Sequence, residues 1–304
     1  MQKYFHQFSD SIRLTHTQEE DAKTKYNGVC EKLHSAYYSS TYTGETKFLF
    51  GSYKTKTNVR PISEFQDVDV LFIIPPEIFE KYRGYSVNGP AFLLQEIKKI
   101  LLEKYTTTDR IKAWGKVVLV QFTFGAHNVE VLPAIKNDDG TYTIPNSENG
   151  GRWEIFDPGS HIMNFQSSNI KTNGLTAELA RMAKTWIDNI KSFDQYSSHS
   201  QLIDIIDFLN RKYPLGVEVI DFQEVLVYYF EFLFEISTSE MKSHVITALN
   251  RSKKARDFSR NGNLIESSIE WRKVFGDLFP LVNENPVKRS MPRIILNPSF
   301  PYGN

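Results

Sequence analysis

The segment DVDVLFIIPP, at residues 67–76, constrains the fold of this chain more than any other. A run of β-branched and apolar residues that ends at two prolines predicts a strand. Residues two apart on a strand leave the same face, so Asp67 and Asp69 project together while Val68 and Val70 point into the core. Two adjacent carboxylates repel each other unless a cation lies between them, and Mg²⁺ prefers such oxygen ligands. The sequence therefore predicts a strand with a metal-binding acidic end.

A third acid lies on a later predicted strand. Glu130 is flanked by apolar residues in the segment VEVLP, residues 129–133. If this strand neighbours the first one, Glu130 completes a site of three carboxylates. Such a site holds two magnesium ions, roughly 3.5 to 4 Å apart, which activate an attacking hydroxyl and stabilise the leaving pyrophosphate of an in-line displacement.

A glycine-serine step precedes the acid pair by about one loop. Gly51 allows the backbone to approach a phosphate closely, and Ser52 adds a hydroxyl to the amide donors. The step, the paired acids and the third acid together indicate a nucleotidyltransferase. Each part alone is weak, because Gly159-Ser160 repeats the dipeptide and a lone Asp-x-Asp is more often a solvated strand end. The order and spacing of the three favour the joint interpretation.

The periodicity of the chain changes near residue 160. Before it, a helix over residues 18–38 and another over 92–105 alternate with strands over 117–124, 129–132 and 142–144. A tight turn at residues 125–128 joins the first two of these strands. After it, the pattern predicts five helices, over residues 175–190, 202–213, 222–236, 240–260 and 264–279. Four prolines after residue 285 predict an extended tail.

Composition excludes several classes of function. The 36 basic and 36 acidic side chains cancel, so the chain presents no cationic field for a long nucleic acid. Cys30 is the only cysteine, which excludes an intrachain disulfide and a cysteine-rich zinc site. The sequence contains neither a signal peptide nor an apolar run long enough for a membrane span. We expect a cytoplasmic protein.

Several segments resemble a known family. FGSYKTKT, FQDVDVLFIIP and VEVLPAI are similar to the glycine-serine motif, the acid pair and the third acid of the CD-NTases, the bacterial relatives of cyclic GMP-AMP synthase and oligoadenylate synthase. DPGSHIMNFQSSN, RMAKTWI, QYSSHSQLI and WRKVFGDLFP resemble the helical domain of the same family. The resemblance covers most of the chain. Glu130 departs from the family's usual aspartate, and residues 54–57 lack its second glycine and carry two lysines that offset phosphate charge.

The resemblance implies two further ligand contacts. By position, Lys184 and Ser197 correspond to residues that contact the nucleoside triphosphate. The alternative for Lys184 is a solvated helix residue, and for Ser197 a helix-capping serine. Ser198 replaces the aromatic residue that some relatives carry, so the base preference is not inherited from them.

The fold implied by the resemblance is α+β. A polymerase-β-like nucleotidyltransferase lobe with a mixed central sheet, residues 1–160, is expected to pack on an α-helical lobe like that of oligoadenylate synthase, residues 161–285. A tail at residues 286–304 follows. The catalytic and metal residues would be Asp67, Asp69 and Glu130, and Gly51, Ser52, Lys184 and Ser197 would bind the nucleotide.

The implied reaction joins nucleoside triphosphates, whether ATP, GTP or pyrimidine nucleotides, into a cyclic di- or trinucleotide and releases pyrophosphate. It uses Mg²⁺, with Mn²⁺ as the alternative ion. The product would act in antiphage defence through a separate effector, and the enzyme itself is expected to be a monomer. Two alternatives stay open: a nucleotidyltransferase that modifies a protein, an RNA end or a small molecule, and a nucleotide sensor without activity.

Three other features favour structural roles. The basic residues of the helix over 240–260 are expected to be solvated, and the aromatic residues over 228–234 to form the core of the helical lobe. His127 is expected to be structural or exposed, because metal-assisted chemistry does not need it as a base.

Overall fold

The structure is a computed structural model, and it describes residues 1–63, 66–106, 111–122, 126–190 and 196–283. The strands within these residues are β1 (Lys47–Leu49), β2 (Asp67–Ile73), β3 (Ile111–Trp114), β4 (Val117–Val120), β5 (Asn128–Lys136), β6 (Tyr142–Asn146) and β7 (Arg152–Phe156). The helices are α1 (Gln2–Ile12), α2 (His16–Tyr37), α3 (Gly51–Lys54), α4 (Pro76–Arg83), α5 (Gly89–Lys104), α6 (Pro158–Lys171), α7 (Leu175–Asn189), α8 (Ser198–Lys212), α9 (Phe222–Ile236), α10 (Ser239–Arg260) and α11 (Leu264–Phe275). The fold is α+β, as the sequence predicts.

One mixed sheet carries the acidic residues. Its strand order is β1-β2-β5-β4-β3, and β6 and β7 continue from the far end of β5. β2 and β5 run parallel, with Asp67 opposite Asn128 and Asp69 opposite Glu130. β1 and β4 pair antiparallel to β2 and β5, so the two acidic strands lie at the centre of the five-strand path.

The face of the sheet opposite the acids is covered by helices. Val68, Val70, Val129 and Val131 are fully buried and form one core with residues of α2 and α5. The period-two alternation of a strand makes this division possible, because apolar and acidic residues alternate along both strands. The prediction that Val68 and Val70 enter the core is confirmed.

A second core lies among the helices, and α1 belongs to it. Phe5 and Phe8 are fully buried, and their rings lie 5.1 and 5.3 Å from that of Phe279. Phe8 also packs on Phe275, with ring centroids 4.7 Å apart. The first helix of the chain therefore packs with helices that follow residue 174. The division at residue 160 stays a prediction.

The long periodic segments are confirmed. The predicted helices agree with α2, α5 and α7 to α11, with ends shifted by up to four residues, and residues 276–278 form a 3₁₀ turn beyond α11. β4 ends at Val120, earlier than predicted, and β5 continues past Leu132 to Lys136. The strands β1, β3 and β7 and the helices α1, α4 and α6 were not predicted.

Three predictions lie partly or wholly outside the described residues. These are the end of the strand at residues 117–124, of which residues 123 and 124 are not described, the turn at residues 125–128, of which residue 125 is not described, and the tail at residues 286–304. Within the described part of the chain, none of the helices combines the length and apolar character that a bilayer crossing requires.

Candidate active site

Three carboxylates meet on one face of the sheet. Asp67 and Asp69 leave β2 on the side away from the valine core, and Glu130 leaves the parallel neighbour β5 in register with Asp69. Because neighbouring strands lie about 4.8 Å apart, this register places three acids of two strands next to one another. The structure brings together the three residues that the sequence selected.

Burial raises the pKa of all three carboxyl groups, and repulsion from neighbouring acids also raises that of Asp69 and Glu130. Burial, together with the charge of Asp67, raises the pKa of Asp69 to about 7, and Lys184 opposes the shift. Burial also raises the pKa of Glu130 to about 7, with contributions from Asp67 and Asp69. The pKa of Asp67 is raised by burial, although a hydrogen bond from Asn128 lowers it. The positive charges and hydrogen-bond donors of the protein therefore do not fully offset the negative charge of these carboxylates.

The donor chemistry of the cluster fits a divalent cation. Oδ1 of Asp67 is buried and has no hydrogen-bond partner in the protein. Hard oxygen donors of this kind are the ligands that Mg²⁺ prefers, and a cation removes the repulsion that raises the pKa values. Within the described residues, however, no three His, Cys, Asp or Glu side chains are already arranged closely enough to hold a metal ion.

The glycine-serine step lies directly against the acid pair. Gly51 begins the short helix α3 with a φ of +64°. A Cβ atom at this position would overlap the carboxylate of Asp69. The amide of Phe50 donates to the Asp69 carbonyl over 3.3 Å, which ties α3 to β2. Only glycine fits here, both for its backbone conformation and for its distance from the acid.

A cleft of about 810 Å³ lies between the sheet and the helices. The sheet side contributes Gly51, Ser52, Asp67 and Asp69 to its lining, and the helical side contributes Lys184 and Ser197. Glu130 is not one of the lining residues, although the charges of Asp67 and Asp69 raise its pKa. Six of the seven predicted site residues thus share one cavity.

Lys184 faces the acids from the helical side. It lies on α7 and is half-buried, so it is not the freely solvated helix residue of the alternative. Burial lowers its pKa to about 8, while Asp69 and Asp188 raise it. At neutral pH the ammonium group therefore remains mostly protonated and supplies a positive charge opposite Asp69.

Ser197 has a clear structural role. It is the N-cap of α8, and its hydroxyl accepts a hydrogen bond from the Ser200 amide at 3.1 Å. An N-cap of this type stabilises a helix by about 1 kcal/mol. The residue also lines the cleft, so capping and ligand contact are compatible.

Lys54, the last residue of α3, and Lys56, in the loop after it, do not line the cleft. Lys54 and Lys56 are exposed, and Nζ of Lys56 lies 3.0 Å from a carboxylate oxygen of Glu19. Their side chains therefore leave the loop away from the predicted phosphate position.

The features to which the sequence assigned structural roles keep those roles. The basic residues of α10 pair with glutamates: Lys253 with Glu231, Lys254 with Glu270, and Arg256 and Arg260 with Glu224. Tyr229, Phe230 and Phe232 are buried in the helical core. His127 is fully buried and packs against Tyr53, and burial lowers its pKa to about 4.

Several cleft residues were not identified from the sequence. Asn58, Gln66, His161, Tyr196 and His199 all line the cavity. Asn58 and Gln66 each bury a side-chain oxygen without a hydrogen-bond partner. His161 of α6 and His199 of α8 lie edge to face, with ring centroids 4.9 Å apart. Both histidines fall in segments that carry the family resemblance, and this was the only signal for them.

Comparisons with known proteins identify the family of this chain. The family model of the Second Messenger Oligonucleotide or Dinucleotide Synthetase domain matches residues 1–169. A search of curated proteins finds no match.

Solved structures of similar fold cover most of the chain. CdnC of E. coli MS115-1, in a complex with HORMA-deltaN, is 17% identical with a TM-score of 0.63, over 91% of this chain and 98% of its own. The DncV cyclic AMP-GMP synthase of Vibrio cholerae, a prokaryotic cGAS homolog, is 12% identical with a TM-score of 0.70, over 91% of this chain and 97% of its own. At these identities the likeness shows a shared fold.

Proposed function

This chain belongs to the family of second messenger oligonucleotide or dinucleotide synthetases, which are nucleotidyltransferases, and we propose that it makes a cyclic di- or trinucleotide from ribonucleoside triphosphates. The reaction depends on Mg²⁺ and releases pyrophosphate. One observation carries the proposal: the acids of β2 face a cleft whose opposite wall holds Lys184, and Glu130 adjoins them on β5.

Each residue has a distinct part in the proposed reaction. Asp67, Asp69 and Glu130 would hold Mg²⁺, which when bound supplies charge neutralisation at the phosphates. Amides at the start of α3 and the Ser52 hydroxyl donate to phosphate oxygens. Lys184, on the helical side of the cleft, holds a positive charge next to the triphosphate. The protein thus contributes positioning and electrostatic stabilisation, which supply most of the acceleration in phosphoryl transfer.

The chemistry proceeds in two displacements for a cyclic dinucleotide and in three for a cyclic trinucleotide. A ribose hydroxyl of one nucleotide attacks the α-phosphorus of another, the bond from that phosphorus to the bridging oxygen breaks, and pyrophosphate leaves as the hydroxyl loses its proton. The linear product then turns in the cleft, and its free ribose hydroxyl attacks the α-phosphorus of its remaining triphosphate. The bond from that phosphorus to the bridging oxygen breaks, so a further pyrophosphate and the hydroxyl proton leave as the ring closes. Every displacement uses the same carboxylates.

The solved relatives support the choice of substrates and setting. One structure contains CdnC with ATP, and another contains DncV with GTP. CdnC is also found with a HORMA protein. We extend these observations to the present chain as follows: it uses purine nucleotides or other ribonucleoside triphosphates, acts in antiphage defence, and signals through an effector that binds the product.

A product assay tests the proposal. The pure protein is incubated with Mg²⁺ and radiolabelled ribonucleoside triphosphates, singly and in pairs, and the products are treated with phosphatase and separated. We expect a phosphatase-resistant product and released pyrophosphate from the wild type, and none from an Asp67→Ala, Asp69→Ala double variant. Asp138→Ala, at an exposed turn position after β5, is the matched control and should retain activity.

Other outcomes would reject the proposal in part or in full. A linear, phosphatase-sensitive product would reject cyclisation but retain nucleotidyl transfer. Product that forms only when a protein, an RNA or a small molecule is added would identify a different acceptor. Triphosphate binding without turnover, both with and without an added HORMA protein, would indicate a nucleotide sensor.

A further inference from the structure

The loop that follows α3 is part of the cleft but is held from the helical side. Thr55, Thr57, Asn58 and Val59 line the cavity next to Gly51 and Ser52. Backbone hydrogen bonds tie this loop to α3; the Thr57 amide, for example, donates to the Ser52 carbonyl at 3.0 Å. Its position therefore fixes where the predicted phosphate donors lie.

Arg181 of α7 holds this loop by its main chain. One guanidinium nitrogen, Nη1, donates to the carbonyl of Lys56 at 2.5 Å. Lys56 has a φ of 57°, an uncommon conformation for a residue with a side chain. The other arm, Nη2, lies 2.9 Å from Oε1 of Glu178. Arg181 is only 5% exposed, so the two contacts are shielded from water.

Glu178 is in turn fixed by α1. The residue is 9% exposed, and its carboxylate accepts a hydrogen bond from the Ser9 hydroxyl and forms an ion pair with Arg13. A buried carboxylate with two guanidinium partners and a hydroxyl donor has little freedom to move. The contacts thus run without interruption from α1 through Glu178 and Arg181 to Lys56.

A second contact joins the same loop to α1. Nε and Nη2 of Arg60 donate to the carbonyls of Ser11 at 2.6 Å and Asp10 at 2.8 Å. The Arg60 amide donates to the Ile12 carbonyl at 2.9 Å. A cation at the C-terminal end of a helix also interacts favourably with the helix dipole. Both ends of residues 56–60 are therefore attached to the helical core.

From these contacts we infer that Arg181 is a positioning residue for nucleotide binding: it fixes the loop after α3 relative to Lys184, so that both walls of the cleft engage the same triphosphate. Arg181 and Lys184 lie three residues apart on α7, nearly one helical turn. One helix thus carries a charged contact to the triphosphate and sets the distance to the opposite donors. The inference rests on the proposed function of the cleft.

A purely structural ion pair with Glu178 is the competing explanation. The two differ in what Arg181→Lys does. Lysine retains the positive charge beside Glu178, but its single ammonium group does not reproduce the fork that spans Glu178 and Lys56. A structural pair predicts wild-type behaviour for Arg181→Lys, whereas positioning predicts a loop that is no longer held.

The test compares Arg181→Lys and Arg181→Met with Arg211→Lys and Arg211→Met. Arg211 forms an exposed ion pair with Asp207 on α8 and is the matched control. Hydrogen–deuterium exchange is measured for the amides of residues 54–58, and binding of a non-hydrolysable nucleoside triphosphate is measured with Mg²⁺. For Arg181→Lys we expect exchange of these amides to rise about tenfold and triphosphate affinity to fall about tenfold, as for one lost charge-assisted hydrogen bond. In turnover, KM should rise by a similar factor while kcat changes less than about twofold.

Wild-type exchange and affinity in Arg181→Lys would overturn the inference. If Arg181→Met does not fold, Arg181→Lys still decides, because it keeps the charge that Glu178 requires. The exchange measurement needs no turnover and so separates the two proposals. Faster loop exchange in a protein that makes no cyclic product would reject the proposed function and support the anchoring role. Unchanged loop exchange in a protein that makes the cyclic product would support the proposed function and reject the anchoring role of Arg181.

Discussion

Asp69 and Glu130 occupy paired positions on the parallel strands β2 and β5; the charge of Asp67 raises the pKa of both carboxyl groups, and the charge of Asp69 also raises that of Glu130. Parallel strands have evenly spaced hydrogen bonds and a fixed register, so neither carboxylate can move away without a change in the sheet. The repulsion is therefore built into the backbone. A divalent cation relieves it, which connects the stability of the sheet to ligand binding.

Glu130→Gln should separate stability from activity. The amide removes one charge from a buried cluster of three acids, so we expect the metal-free variant to gain about 1 kcal/mol in free energy of unfolding. Product formation should fall at least about 100-fold, because the metal ion that stabilises the developing charge on the phosphate would lose one of its ligands. Urea denaturation in chelator and the product assay measure the two effects. Glu148→Gln, in an exposed loop, should change neither; a less stable but active Glu130→Gln would contradict the assignment.

Gly51→Ala should disable the site through its backbone. Alanine in the left-handed region costs about 1 kcal/mol, and here its Cβ would also overlap the Asp69 carboxylate. Gly140→Ala is a matched control, because Gly140 has a φ of +86° but no atom within 4 Å of the added Cβ. We expect Gly140→Ala to lose only the strain energy and remain active, and Gly51→Ala to lose more stability and most activity. Thermal unfolding and turnover of both variants test this; equal behaviour would show that Asp69 yields to the methyl group.

Lys184→Met should weaken triphosphate binding. Its ammonium group is a half-buried positive charge of the cleft, opposite Asp69, and a charge-assisted hydrogen bond to phosphate contributes about 1.5–3 kcal/mol. We therefore expect KM to rise about 10- to 100-fold. Steady-state kinetics measures the change, with Lys99→Met on an exposed position of α5 as control. An unchanged KM would assign Lys184 a role confined to the packing of α7.

Glu270 should make the helical core sensitive to acid. Although burial raises its pKa, bonds from Lys273, Arg251 and Lys254 lower it to about 2. A carboxylate whose pKa is lower in the folded than in the unfolded state stabilises the protein at pH values above its unfolded pKa, which is 4.5 here. This stabilisation is lost as the pH falls toward the folded pKa of about 2.

Glu270→Gln should therefore lower the free energy of unfolding by about 2 kcal/mol at pH 7. The loss is limited to this size because water screens the exposed ends of the three cations. The difference from the wild type should shrink between pH 4.5 and 2. Urea unfolding as a function of pH measures it, with the exposed Glu235→Gln of α9 as control. A difference that stays constant over this pH range would mean that packing, rather than charge, stabilises the core around Glu270.

The local part of the site was predictable from the sequence. Asp67, Asp69 and Gly51 carry their information in short-range spacing, because a strand repeats every two residues and a positive φ favours glycine. The parallel pairing that brings Glu130 to Asp69 was an assumption at that stage, since no short-range pattern encodes which strands neighbour each other.

The remaining features depend on tertiary packing. Nothing in the sequence of α1 indicates that Phe8 meets Phe275, and the hydrophobic pattern of a helix does not name its partner. His161 and His199 likewise meet only because α6 and α8 pack together. The lysines of residues 54 and 56 were expected to offset phosphate charge, and only the backbone of the loop reveals that their side chains leave it in another direction.

The position of α1 determines the order in which this protein can be completed during synthesis. Phe5 and Phe8 leave the ribosome before the sheet, but the aromatic residues that cover them, Trp271, Phe275 and Phe279, follow it by more than 100 residues. The residues of the sheet therefore lie, along the chain, between two parts of the helical core. A single cut of the chain after the sheet would separate α1 from the helices that it packs against. The cleft becomes complete only after the segments before and after the sheet have packed together.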